Sequence, residues 1–432
     1  MKKRKERAAA VCLAFVLLLT SVTVSAEASK EPEVNAADLT DSNSSTMGNS
    51  ASSIGYRTYI SSLLEWMPAE TDLNAVIQSG DQKDIGDQIS FSVTAPSDGL
   101  YGLKMSYKSL STQNIVLSAE IDGCILFSES ERLSFPVNWI NENNEWVSQS
   151  GNQFTPEQIP YTDTVTTIAQ DYSGRFEDPY WFGLTSGEHT VTITVKQGSF
   201  ELIALSFTAP EQVSAYVKPE SMLEVSAADP IILEGEAATI KNDRALIPLS
   251  DAASAAVTPC DPVYSKLNYI GGSNWKTPGS SLTWEYTVET AGYYYIGFHC
   301  RQNQLLGGIA YRHLTIDGKT PFAEAKRMKF TYDSTWKHMV FGKSEEEPYL
   351  IYLDEGPHTL TMTVTAGAVA DIYASLQEIT ASMGDLYVDI TKIVGETVDI
   401  YRSYELFNQI PQFNDRLNAA ISSLNALADR LF

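Results

Sequence analysis

Ile89-Ser-Phe-Ser-Val-Thr-Ala-Pro-Ser-Asp-Gly-Leu-Tyr101 and Leu282-Thr-Trp-Glu-Tyr-Thr-Val-Glu-Thr-Ala-Gly-Tyr-Tyr294 read as one unit written twice. Each opens with apolar residues at every second position, as in Ile89, Phe91 and Val93, the period of a half-buried strand. Each turns at a glycine, Gly99 or Gly292, and resumes with aromatic residues that suit a second strand. Self-similarity of this kind implies two copies of one domain in place of a single large fold.

Two further landmarks recur in the same order. Glu120-Ile-Asp-Gly123 matches Thr315-Ile-Asp-Gly318, and Asp-Gly is a favoured pair for a tight hairpin turn. Pro179-Tyr-Trp-Phe182 with Gly187-Glu-His-Thr-Val191 matches Pro348-Tyr-Leu-Ile351 with Gly356-Pro-His-Thr-Leu360. The first copy is longer between these landmarks, so an insertion is expected over 136–178. The predicted fold is mainly β: two tandem β-sandwiches, over 55–212 and 225–382, with a boundary near Pro219 to Asp229.

Helical signals flank the sandwiches. Tyr56, Tyr59, Ile60, Leu63 and Leu64 stand at helical spacing before Pro68, predicting a short N-terminal helix over Tyr56 to Trp66. A helical tail is expected over 383–432, with one helix from Tyr401 to Ile410 and another from Asn414 to Phe432, separated by Pro411. The second would carry the stripe Leu417, Ile421, Leu424, Leu427 and Leu431.

The beginning of the chain concerns export. Lys2, Lys3, Arg4, Lys5 and Arg7 precede an apolar run from Ala8 to Val22 and the small-residue site Val24-Ser-Ala26. This is the pattern of a secretory signal peptide over 1–26, its apolar run shorter than the ~20 residues a spanning helix needs. Residues 27–54, rich in Ser, Asn, Ala and Asp, read as a disordered linker. A secreted, extracellular and envelope-associated protein is expected.

The formal net charge is -24, from 54 acidic and 30 basic residues. Such a surplus opposes phosphate contacts, excluding nucleic acid as the expected partner, and it opposes anionic lipid surfaces as well. It is compatible with an uncharged ligand. Cys124, Cys260 and Cys300 show no zinc spacing and no disulfide framework; they are expected to be buried, with a Cys260–Cys300 bridge as the alternative.

At the aligned landmarks the chain resembles the galactose-binding-like jelly-roll superfamily, which includes many carbohydrate-binding modules. Ile232-Leu-Glu-Gly-Glu-Ala-Ala238 looks like their opening strand and Ala370-Asp-Ile-Tyr-Ala-Ser-Leu376 like their closing one. The resemblance implies a structural calcium ion in the second sandwich, held by Glu236 and Asp371. Two carboxylates supply only part of the six to eight oxygens calcium takes. In the first copy Glu201 stands in the place of Asp371 and the opening strand, Asn74 to Gln78, lacks the acidic pair. The order of segments, with Asp399-Ile-Tyr-Arg-Ser-Tyr404 and Ile410-Pro411 in the tail, is also similar to the N-terminal part of large Gram-positive solute-binding proteins of carbohydrate ABC transporters.

Sugar recognition needs flat aromatic faces with polar groups at the rim. The insertion offers Trp139, Trp146 and Tyr161 among several Asn and Gln residues, and the second copy offers Trp275 and Trp336 in polar, loop-like settings. The competing reading is that these rings plug the sandwiches. No GxSxG, HExxH or phosphate-binding glycine loop is present, and His189 and His358, each opening a strand after a turn glycine, suit structural roles. Asp333 with Glu345 and Asp171 with Asp178 are the carboxylate pairs to weigh as glycosidase dyads.

The expected function is thus a secreted, non-catalytic carbohydrate-binding protein, the recognition part of a transporter's solute-binding system. An envelope interaction protein docking a partner through its helical tail is the first alternative. A glycoside hydrolase chain is the second.

Overall fold

The computed structural model describes residues 54–63, 65–73, 77–143, 150–219, 230–395 and 401–431. The expected signal peptide, almost all of the linker and Trp146 lie outside the described residues. The chain divides into two units, Ser52–Ala370 and a helical unit that includes Asp371–Phe432.

The first sandwich is built from two antiparallel sheets. One contains β1 (Ile77–Lys83), β11 (Phe200–Thr208), β3 (Gly99–Ser109) and β8 (Val165–Ile168), in that order, with β9 (Trp181–Leu184) also paired to β3. The other runs β2 (Gln88–Ala95), β10 (Gly187–Gln197), β4 (Ile115–Ile121), β5 (Leu133–Phe135). Alternation sets the core: Leu103, Met105 and Tyr107 of β3 and Val191, Ile193 and Val195 of β10 join one buried cluster. Helix α1 (Tyr56–Ser62) ends earlier than Trp66 and buries Tyr56 and Tyr59. Tyr56 Oη accepts from Trp181 N at 2.9 Å and Tyr59 Oη from Gly183 N at 2.8 Å, which fastens the helix onto β9.

In the second sandwich β19 (Met328–Thr331), β18 (Ile309–Ile316), β22 (Gly356–Thr365), β15 (Ser281–Val288) and β12 (Ile240–Lys241) lie side by side in one sheet. β13 (Pro248–Leu249) and β14 (Tyr269–Ile270) form a small hairpin-like pair. Two further short pairs, β16 (Gly292–Tyr294) with β21 (Ile351–Leu353) and β17 (Gly297–Cys300) with β20 (Lys337–Val340), lie along what is one strand in the first copy. Leu282, Leu314 and Met362 from the large sheet share a core with Tyr294, Phe298, Ile351 and Met339 from these pairs.

The copies correspond beyond the landmarks. Tyr56 N donates to Glu129 Oε2 at 2.8 Å, and Tyr216 N donates to Glu324 Oε2 at 2.9 Å. Tyr216 Oη accepts from Leu350 N at 3.2 Å, as Tyr56 Oη does from Trp181 N. Glu211 accepts from Thr320 N and Ser214 O from Ala323 N, so the second sandwich engages the chain well before residue 225. The sequence signal was too short to show this.

The insertion takes part in the second sandwich, and one expectation is corrected. β6 (Trp139–Asn141) pairs with β7 (Gln158–Pro160) and with β12, extending the second sandwich's sheet to seven strands. It clasps the second copy further through Arg327 to Glu177 at 2.6 Å and Lys326 to Asp178 at 2.9 Å. The presumed closing strand at Ala370–Leu376 is instead the start of helix α2 (Ala370–Val394). Ala370, Ala374 and Leu376 are good helix formers and Gln377 and Glu378 follow them, so helix propensity prevails where no second strand claims the segment. Consequently, among the described residues, no strand takes the place that β11 has in the first sandwich.

The helical unit also holds α3 (Leu406–Gln409), shorter than the expected Tyr401–Ile410, and α4 (Phe413–Leu431). Arg416 Nη1 meets Asp389 Oδ2 at 2.8 Å between α4 and α2. The buried side of α4 includes Ala420 and Leu427, whereas Ile421 of the expected stripe is 54% exposed. No described helix is long and apolar enough to cross a membrane. Cys124 and Cys260 are exposed and Cys300 half-buried, all three free, which corrects the expectation of three buried thiols.

Candidate functional site

The face of a sheet that looks away from its core is either covered or available to a ligand. In the first sandwich it is covered at the end that carries Gly102 and Gly183. The outward face of β3 pairs Leu100 with Gly183 and Gly102 with Trp181, and α1 lies over it. A Cβ placed at Gly183 would meet Leu63 Cδ1 at 2.8 Å, and one at Gly102 would meet Trp181 and Ile168 at 2.9 Å. Both positions need glycine because other side chains approach so closely.

The second sandwich places different residues at the same register. β16 pairs Gly292 with Leu353 and Tyr293 with Tyr352, as β3 pairs Gly99 with Leu184 and Leu100 with Gly183. Tyr352 thus corresponds to Gly183 and Tyr295 to Gly102. Tyr295 is 60% and Tyr352 52% exposed. Further along, His299 faces His338 across β17 and β20, both exposed, and Gly297 lies between the tyrosines and the histidines. The intervening residues Tyr294, Ile296, Phe298 and Cys300 pack on the core. One strand face therefore carries Tyr293, Tyr295, His299 and Arg301, with Tyr352, His338 and Trp336 beside it. His299 lies six steps along the chain from Tyr293, a span of at most about 20 Å at strand rise.

The rings are organised in contact. Tyr293 and Tyr352 meet at 5.3 Å in an edge-to-face arrangement, and His299 and His338 stack at 4.6 Å. Trp336 lies 5.6 Å from His299 and 5.7 Å from Tyr269. Its Nε1 donates to Asp251 Oδ2 at 2.9 Å, and the guanidinium of Arg301 lies 4.8 Å above its ring while bridging to the same carboxylate at 2.9 Å. Burial and the neighbouring His338 hold the His299 imidazole below its ordinary range, keeping it neutral at neutral pH.

The expected site residues fare unequally. Trp336 joins this face, half-buried and oriented by Asp251. Trp139 does not: it is 7% exposed, pairs with Lys241 in the joint between the sandwiches and lies under Arg244, so the expected stacking role is corrected to packing. Tyr161 is half-buried near the end of β7, its backbone N donating to Asn138 O at 2.8 Å. Trp275 packs on the second core, donates Nε1 to Ser280 O at 3.3 Å and has Arg312 4.2 Å from its ring. Tyr352 and the His299–His338 pair were missed, and the Tyr293–Tyr295 stretch reads from sequence as packing; the substitution of Gly102 and Gly183 by tyrosine in the second copy was the signal that could have found the face.

The calcium ligands are not on strands. Glu236 sits in a short helical turn, Gly235–Ala237, 6% exposed, with its carboxyl pushed up to about 7 chiefly by burial and further by Glu234. Asp371 is in the first turn of α2. Among the described residues no group of three or more His, Cys, Asp or Glu side chains is set to hold a metal ion. One buried carboxylate does not make a calcium shell, and the residues present do not fit that ion.

Three of the four carboxylates weighed as dyads have fixed partners. Asp171 accepts from Ser173, Arg175 and Phe176, and Asp178 from Lys326. Asp333 accepts from Thr335 N and Oγ1. The cleft of about 410 Å³ beside Glu129, Asp171 and Arg175 is walled by the same ion-pair network, which anchors α1.

Comparison with known proteins adds one assignment. Residues 371–432 match the family model for the bacterial solute-binding protein, 4-helix bundle domain. The tail is thus solute-binding-protein-like in sequence, as its resemblance implied. No curated protein matches the chain. Among solved structures, a family 35 carbohydrate binding module from Clostridium thermocellum is similar at 15% identity, covering 33% of this chain and 94% of its own, with a TM-score of 0.19. A carbohydrate binding module of Cellvibrio mixtus lichenase 5A, in complex with cellotriose, is similar at 15% identity over 34% of this chain and 96% of its own, TM-score 0.16. The Arthrobacter globiformis T6 isomalto-dextranase complexed with panose is similar at 12% identity over 67% and 33%, TM-score 0.19. These values identify no ligand for this chain.

Proposed function

We propose that this chain is a secreted, non-catalytic carbohydrate-recognition component of a solute-uptake system, and that the uncovered face of the second sandwich contacts the sugar. The observation that carries the reading is the row of Tyr293, Tyr295, Tyr352, His299, His338 and Trp336 on a sheet face whose Tyr352 end corresponds to the part that the first sandwich hides under α1. Aromatic rings stack on the C–H faces of pyranose rings, while phenol hydroxyls and neutral imidazoles bond hydroxyl groups without demanding charge. The match of the tail to a solute-binding-protein domain supports the uptake context.

Glycan-array binding followed by titration calorimetry tests it. Wild type should retain at least one neutral oligosaccharide, Tyr352→Ala and Trp336→Ala should weaken it at least tenfold, and Trp139→Phe should not. Binding unaffected by Tyr352→Ala and Trp336→Ala together, or hydrolysis of the captured glycan, would overturn the proposal. The reading of the tail as a docking element has its own support, since Tyr387 of α2 is 68% and Ile421 of α4 54% exposed. Loss of a co-purifying transporter component on deletion of 414–432 is the outcome expected of it.

A further inference from the structure

We propose that His299 and His338 form a two-imidazole site for a divalent transition-metal cation of the copper, nickel and zinc group, on the outward face of the second sandwich. The inference goes beyond sugar recognition and rests on the geometry of this one cross-strand pair.

Ladder geometry brings the two rings together. Phe341 N donates to Ile296 O at 2.9 Å, and the register continues Gly297 with Val340, Phe298 with Met339, His299 with His338. Hydrogen-bonded and non-hydrogen-bonded pairs alternate in an antiparallel ladder, so three steps from the bonded Ile296–Phe341 pair, His299 and His338 form a non-hydrogen-bonded one. Such pairs hold their Cα atoms about 4.5 Å apart, closer than bonded pairs. The rings lie 4.6 Å apart at an interplanar angle of 20°, so modest side-chain rotation can aim one nitrogen of each at a common point.

Chemistry separates this pair from the other histidines. His189 bonds Asp122 and the Thr185 carbonyl, His358 bonds Asp317 and the Asp354 carbonyl, and His313 bonds Thr320. No ring nitrogen of His299 or His338 has a hydrogen-bond partner among the described residues, and both side chains are exposed, leaving the outer positions of a bound cation to water. Imidazole suits copper, nickel and zinc. The groups around the pair do not oppose a cation strongly: Arg301 is bridged to Asp251, Lys337 lies 3.8 Å from Asp333, and Trp336 is uncharged. Cys300 points to the opposite side of the strand and packs on the core, so it is not a third ligand. In the first copy the same register holds Ser106 and Thr166, whose hydroxyls bond each other at 2.7 Å, which confines the site to the second sandwich.

The test uses the purified chain without sugar. Calorimetric titration with Ni²⁺ and Zn²⁺, and electron paramagnetic resonance with Cu²⁺, should show one site per chain and nitrogen coupling from imidazole. His299→Ala and His338→Ala should each weaken Ni²⁺ binding at least tenfold, while His189→Gln leaves it unchanged; circular dichroism confirms that the variants fold. Equal Ni²⁺ affinity in the folded His299→Ala/His338→Ala double variant, or no binding by wild type, would overturn the proposal. Neither result depends on whether a glycan binds.

Discussion

Tyr352 of the second sandwich occupies the register position that Gly183 holds in the first. The same sheet face is therefore closed in one copy and open in the other. A substitution that exchanges the two side chains should exchange their consequences. A tyrosine at Gly183 would drive its Cβ into Leu63 Cδ1 at 2.8 Å and crowd Trp66 and Tyr59 Oη at 3.3 Å, displacing α1. Gly183→Tyr is expected to cost about 1–3 kcal/mol, as overpacking does, and to lower the melting temperature of the chain. Tyr352→Gly, at a residue 52% exposed, should cost far less stability and remove sugar binding. A Gly183→Tyr variant that melts like wild type would show that α1 does not close this face.

The duplication was legible in the sequence because it is written in short-range patterns. Alternation at Ile89, Phe91 and Val93, the Asp-Gly turns and the Gly-x-His-Thr strand starts survive as β2, the hairpins after β4 and β18, and the openings of β10 and β22. What sequence could not supply was the partner of each segment. The insertion carries aromatic and amide residues whether it binds sugar or seals a joint, and only the pairing of Trp139 with Lys241 decides for the joint. Likewise Ala370 to Leu376 can continue either a sheet or a helix, and no periodicity in seven residues distinguishes them. The aromatic face escaped notice because its members come from four short strands, and alternation alone does not tell an uncovered face from a core.

Each copy carries one histidine latch at its Asp-Gly turn. His189 Nδ1 lies 2.7 Å from Asp122 Oδ2, and His358 Nδ1 lies 2.7 Å from Asp317 Oδ2. The bond to Asp317 and that to the Asp354 carbonyl raise the His358 pKa; burial opposes ionisation of Asp317, but bonds from Thr359 N and His358 lower its pKa on balance. The raised histidine contributes stability that is full below the unfolded value of about 6.5 and lost as pH rises through its folded value. The lowered aspartate contributes stability present above about 3.9 and lost as pH falls through its folded value. The latch is thus worth most between about pH 4 and 6.5. Asp317→Asn keeps an acceptor for Thr359 N and tolerates φ of 52°, so urea unfolding should show a loss of about 1 kcal/mol at pH 5.5 that shrinks by pH 8. A pH-independent loss would refute the ionic character of the latch.

Lys241 fixes the joint between the sandwiches. It is fully buried, and Nζ donates to Asn141 Oδ1 at 2.5 Å and Gln158 Oε1 at 2.7 Å, two neutral acceptors from the insertion. Burial pulls its pKa down to about 8. The unfolded chain, with its lysine near 10.4, holds the proton longer, so this residue adds stability as pH rises from about 8 to 10.4 and loses it on the way down. Lys241→Met removes that dependence. The stability of wild type minus that of the variant should therefore grow by on the order of 2–3 kcal/mol across this window, with tyrosine ionisation cancelling in the difference. A constant difference from pH 7.5 to 10 would mean that the folded amine keeps its proton as tightly as the unfolded one, so that burial does not depress it.

Glu236 makes the opposite case and bears on the calcium ion that the resemblance implied. Its carboxyl is raised to about 7 because burial, aided by Glu234, disfavours the charge. A raised carboxyl contributes stability that is full below its unfolded pKa of about 4.3 and lost as pH climbs through 7, so at pH 8 the ionised side chain is a buried liability. Glu236→Gln should leave stability nearly unchanged at pH 4.5 and increase it by about 1–3 kcal/mol at pH 8. A bound calcium ion would reverse the sign: millimolar calcium would raise the melting temperature of wild type at pH 8, a chelator would lower it, and Glu236→Gln would abolish both responses. Melting curves of the two proteins at pH 8, with calcium and with chelator, therefore decide between a lone buried carboxyl and a metal ligand. The geometry favours the lone carboxyl, because Glu236 lies in a helical turn and, among the described residues, no group of three or more His, Cys, Asp or Glu side chains is set to hold a metal ion.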